Sequence, residues 1–111
     1  DIITSHSAFA YLASRYNLNQ VPIAGLSQEE PSPAKLAEIV NFLKENKIKY
    51  VFTEATGSTR VAETVAREAG VEFLLMSPVE EVTLDDIKEG RDYIARMEKN
   101  LAVLRTALEC Q

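Results

Sequence analysis

Residues 49–78 read KYVFTEATGSTRVAETVAREAGVEFLLMSP, and this stretch decides the fold. YVFTE at 50–54 is short and rich in β-branched and aromatic residues, as a strand is. Val61, Ala62, Val65 and Ala69 then recur at helical spacing, Ser58 stands where an N-cap belongs, and Gly70 supplies the left-handed stop. EFLLMS at 72–77 is a near-continuous apolar run, the pattern of a strand covered on both faces, and Pro78 ends it. Strand, helix and strand within thirty residues form a βαβ unit, which implies a parallel pair.

The same unit recurs upstream. IITS at 2–5 is β-favouring, and Phe9, Leu12, Ala13 and Tyr16 then mark one face of a helix ending near Asn17. QVPIA at 20–24 is a second short strand, whose Pro22 cannot donate to a ladder and so belongs at a sheet edge. After the loop GLSQEEPSP, Ser32 and Pro33 form an N-cap with proline at the first helical position, and Leu36, Ile39, Val40 and Leu43 carry the next stripe to about Asn46. Downstream, Thr83 and Asp86 resemble a capping box with aspartate in place of glutamate. Ile87, Gly90, Ile94, Met97, Leu101, Leu104 and Leu108 then step by threes and fours, which predicts one terminal helix of about 26 residues, roughly 39 Å long. The expected fold is α/β: a single three-layer domain over residues 1–111 with a roughly four-stranded parallel sheet, helices on both faces and a long C-terminal helix.

Composition narrows the function. Apolar residues make up 46% of the 111-residue chain and charged residues 26%, so it can bury a core without a staple. Twelve basic residues against 17 acidic ones leave a net charge near −5, with no basic patch to attract nucleic acid. No apolar run approaches the roughly 20 residues of a membrane-spanning helix. The lone Cys110 cannot form an internal disulfide, and the strand-like start with no preceding signal suggests a processed or excised segment.

In parallel sheets ligands gather at the carboxyl ends of the strands, so His6, Glu54, Glu80 and Glu81 are the residues to interrogate. Covalent catalysis finds no support: Ser5 and Ser7 flank the only histidine too closely to present an Oγ to its ring, and there is no G-x-S-x-G. Gly25, Gly57, Gly70 and Gly90 are isolated and form no phosphate-binding loop; in TGSTR at 56–60, Ser58 is more simply a cap than an anion site. A receiver-like phosphoacceptor would need aspartate where Glu54 stands. His6 and Glu80 together offer an imidazole and a carboxylate to zinc, manganese or iron, although the residues alone leave open that a strand-end histidine is simply solvated or hydrogen-bonded.

TSHSAFAYLASRYNL at 4–18, QVPIAGLSQEEPSP at 20–33, residues 49–71 and SPVEEVTLDDIKEGRDYIARMEKNL at 77–101 together resemble one family. It is that of the zinc/manganese-type solute-binding receptors of ABC importers, and the resemblance is to the C-terminal lobe. It implies metal ligation by His6, from the T-S-H-x-A-F motif, and by Glu80, after the last strand. Glu54 would brace loops near the site, with Ser5 and Glu81 beside it. A histidine at position 6 resembles zinc-type members, whereas many manganese-type members carry glutamate there. The resemblance further implies a periplasmic or extracellular-face location, an N-terminal lobe supplying the remaining ligands, and an importer permease as partner. On that reading this chain holds half a site and binds Zn²⁺ only weakly by itself. It would also present a cleft face around Phe9, Pro22 and residues 26–33, open to self-association. Two rivals remain: a stand-alone enzyme or regulator with Glu54, Glu80 and Glu81 around Mg²⁺, and a metal-free interaction module.

Overall fold

A computed structural model describes residues 1–24, 30–54, 59–80 and 82–110. Four short strands, β1 (Ile2–Thr4), β2 (Gln20–Pro22), β3 (Tyr50–Thr53) and β4 (Glu72–Leu75), form one parallel sheet in the order β2-β1-β3-β4. Ile3 pairs with Val21 on one side and with Val51 on the other, so β1 is central although it comes first in the chain. Pro22 lies on the β2 edge, where its missing N–H costs no ladder bond.

The helices divide between the two faces as right-handed crossovers require. The connection from β1 to β2 runs one way through α1 (Ala10–Arg15). Those from β2 to β3 and β3 to β4 run the other way through α2 (Pro33–Glu45) and α3 (Arg60–Ala69). Adjacent strand residues point to opposite faces, and two cores result. Ile3 and Val51 pack with Ile39, Leu43, Ala62 and Val65 under α2 and α3. Ile2 and Phe52 pack with Phe9, Ala13 and Met76, joined by Val103, Leu104 and Ala107 of the last helix, α5 (Tyr93–Ala107).

Local signals account for most boundaries. Ser32 Oγ accepts from the Lys35 N–H with Pro33 at the first helical position, and Gly70 closes α3 at φ 71°. Thr59, not Ser58, sits at the N-cap of α3 and makes no side-chain capping bond there; Ser58 lies outside the described residues.

Several expectations need correction. β4 is an edge strand: Phe73 and Leu75, which share a face, are 45% and 43% exposed because β4 has a neighbour on one side only. The apolar run therefore does not mark a strand covered on both faces. Tyr16 is 63% exposed and lies beneath the Arg15 guanidinium instead of joining the core. Phe9 is 3% exposed within the second core, as its place on the first apolar stripe predicts, and so is not part of the open cleft face that the resemblance implied; residues 26–29 of that face lie outside the described residues. The terminal helix is two helices, α4 (Leu84–Lys88) and α5. Gly90 at φ 76° breaks the run, and Asp92 recaps it by accepting from the Ala95 N–H. Its apolar stripe is only partly covered: Ile94 and Leu101 remain exposed.

The capping box is present on α4. Thr83 Oγ1 accepts from the Asp86 N–H at 3.1 Å, and Asp86 accepts from the Thr83 N–H at 3.0 Å. Hydrogen bonds from the Thr83 backbone and hydroxyl, with help from Arg91 and Arg96, hold the Asp86 carboxyl well below the usual carboxylate range. Thr83→Ala is expected to cost about 1 kcal/mol. Because Asp86 has a depressed folded pKa, its stabilisation is complete above its ordinary value near ~3.9 and is lost as the pH falls towards the folded value. The gap in thermal midpoint between wild type and Asp86→Asn should therefore close as the solution is taken below about pH 4, and a gap that widened in acid would contradict it.

Candidate metal centre

The chain reverses direction across the sheet between β1 and β3, so their carboxyl ends flank the topological switch point, where open α/β sheets bind ligands. His6 leaves β1 there and Glu54 leaves β3. Both are buried, at 9% and 6% exposure. His6 Nδ1 stands 2.5 Å from Glu54 Oε1. Among the described residues the close approach of the His6 ring is the polar contact the structure records for this buried Oε1. Burial pushes the Glu54 carboxyl up; the His6 charge opposes that push and the Glu80 charge adds to it.

The backbone that aims His6 is unusually well tied. Its carbonyl accepts from Thr4 Oγ1 at 2.9 Å, from the Ala8 N–H at 2.9 Å and from Gln20 Nε2 at 3.1 Å. Gln20 also donates to Thr4 Oγ1 at 2.8 Å, which links the turn to β2. The Ser5 N–H donates to the Phe52 carbonyl at 2.8 Å and the Ser5 carbonyl accepts from the Ala24 N–H at 2.9 Å, so Ser5 contributes through its main chain. Thr4 and Gln20 carry no sequence signal to mark them: a buried threonine in a strand and a glutamine at a strand start look ordinary.

Glu80 is exposed, on the segment that leaves β4, and near enough to Glu54 to act on it through its charge. Glu81 lies outside the described residues. Asn100, which the helical stripe passes over, is 3% exposed and bridges to the main chain of Ser77. Among the described residues no three His, Cys, Asp or Glu side chains are grouped closely enough to hold an ion. The arrangement brings together one oriented imidazole and a buried carboxylate, with a second carboxylate nearby.

A doubly wound parallel sheet with an oriented imidazole at its switch point is the α/β architecture that places ligands at strand ends. The chain belongs to the family described as ZnuA, zinc-uptake complex component A, periplasmic, whose profile matches residues 1–107. It is 47% identical over 104 residues to the zinc-binding lipoprotein AdcA of Streptococcus pneumoniae, an alignment covering 93% of this chain and 21% of that protein. The Zn(II)-bound ZnuA-like domain of that AdcA superimposes with a TM-score of 0.71 at 46% identity, covering 96% of this chain and 40% of that one. The laminin-binding protein Lmb of Streptococcus agalactiae, described as an adhesin with metal-transporting activity, gives 0.82 at 35% identity, covering 96% and 40%. The chain thus spans about a fifth of the AdcA lipoprotein's length.

Proposed function

We propose that this chain captures a transition-metal ion, zinc first and manganese second, for uptake through an ABC importer on the outer side of the membrane, and is not an enzyme. In this reading it is the C-terminal lobe of a bilobed receptor, His6 and Glu80 ligate the ion, and the other lobe completes the sphere. The observation that carries it is the buried approach of Glu54 to His6 Nδ1. Metal-ligating histidines characteristically engage a carboxylate through the second ring nitrogen, which fixes the ring and raises its basicity. Nε2 is then the coordinating atom. Family membership and the zinc in the names of the relatives support the same cargo.

The stand-alone Mg²⁺ reading is not favoured. Mg²⁺ keeps several waters and takes exposed carboxylates, whereas Glu54 is buried against an imidazole.

The test is a Zn²⁺ titration of the chain followed by NMR of the His6 ring, repeated with Glu80→Gln. Saturable binding that shifts the ring, with affinity falling about tenfold or more in the variant, is expected. A ring that stays unmoved at millimolar zinc would remove His6 from the ligand set. An equal response to Mg²⁺ would favour the rival.

A further inference from the structure

We propose that Asn100 is a positioning residue for Glu80, holding the turn that presents this carboxylate to the His6–Glu54 edge; the proposal rests on the zinc reading above. β4 has a partner strand on one side only, and its ladder ends where the Met76 N–H donates to the Thr53 carbonyl at 2.8 Å. One residue later the side chain of Asn100 takes over the work of a strand. Its Oδ1 accepts from the Ser77 N–H at 2.8 Å and its Nδ2 donates to the Ser77 carbonyl at 2.6 Å, so both ends of one amide are spent on one residue's backbone.

Asparagine is a poor choice for the middle of a helix, and a buried amide is costly unless satisfied. Yet Asn100 is the buried residue of α5, while Ile94 and Leu101 on the same helix stay exposed. Packing alone would favour the opposite arrangement.

The two residues after Ser77 are equally constrained. Pro78 fixes its own φ, and Val79 lies at φ 59°, a left-handed conformation that a β-branched side chain rarely adopts. The Val79 N–H donates to Ser77 Oγ at 3.2 Å. A strained turn persists only where its surroundings over-determine it. The Asn100 bridge and the Ser77 hydroxyl do so here, and the residue delivered by that turn is Glu80. A carboxylate held in place before the ion arrives has less freedom to lose on binding.

The experiment measures zinc affinity and thermal midpoint for Asn100→Leu and Ser77→Ala, each with Glu80 present and in a Glu80→Gln background. If Asn100 acts through Glu80, Asn100→Leu weakens zinc about tenfold with Glu80 present and under about twofold once Glu80 is glutamine. Ser77→Ala, which leaves both Asn100 bonds in place, gives a smaller loss with the same dependence. A purely structural role would lower the midpoint and leave affinity alone, or weaken zinc equally in both backgrounds; either result overturns the proposal. Should Asn100→Leu fail to fold, Asn100→Ala, which removes both bonds to the Ser77 backbone without adding bulk, decides by the same criterion. If Glu80→Gln alone leaves zinc binding unchanged, the ligand assignment falls and takes this role with it. If Glu80→Gln weakens binding while Asn100→Leu and Ser77→Ala do not, only the positioning role is lost.

Discussion

Replacing His6 with alanine should leave the chain folded and remove saturable zinc binding below millimolar concentration. A complete four-ligand zinc site is worth about 10–16 kcal/mol, so two ligands supply about 5–8 kcal/mol, an affinity between millimolar and micromolar. If the imidazole carries about half of that, its loss weakens binding by roughly a hundredfold or more. The fold survives for a specific reason. Glu54 would be left buried without the ring beside it, but its carboxyl is already pushed up by burial, and taking a proton relieves the uncompensated charge. A competition titration against a chromophoric chelator reads the affinity, with circular dichroism as the check on folding. Undiminished binding in a folded His6→Ala variant would place the ion elsewhere.

Phe52→Ala is the substitution with the largest expected effect on stability. Phe52 is 1% exposed on β3, with a parallel neighbour on each side, and its ring fills the core between the sheet and α5. Truncating a buried phenylalanine costs about 3–5 kcal/mol, against a total stability of about 5–15 kcal/mol for a chain of this kind. The thermal midpoint should fall by about 12 °C or more. Phe73→Ala, one strand over, should cost less than about 1 kcal/mol, because that ring is 45% exposed on the sheet edge. Urea unfolding of the pair checks the ranking, and equal midpoints would contradict the strand order.

That pair also marks how much is legible in advance. Both rings sit in apolar β-favouring runs, and nothing local separates them. Only the order β2-β1-β3-β4 makes one central and the other marginal, and strand order is a property of the assembled sheet. The strand and helix succession, the Ser32 and Thr83 caps and the Gly70 stop are readable because each is encoded within a few neighbouring residues. The break at Gly90 escapes for the same local reason: a stripe in steps of three and four continues through a glycine that adopts φ 76°. At the site, His6 and Glu54 stand out as strand-end residues, but their direct contact depends on β1 and β3 being neighbours across 48 residues of chain, as the pairing Ile3 with Val51 requires. Asn100 stays hidden because one amide inside an amphipathic helix looks like a break in the pattern, and its meaning lies in the Ser77 backbone it meets.

The central position of β1 has a kinetic side. It is synthesised before both of its partners, and the nearer one, β2, leaves it as half of an exposed two-stranded ribbon until Val51 arrives. Closing that long loop is slow compared with forming the helices on the way. Until it closes, the imidazole has no carboxylate to orient it. On the proposed zinc reading, an ion met before that closure would find a loose histidine in place of a prepared site, and loading would follow folding instead of guiding it.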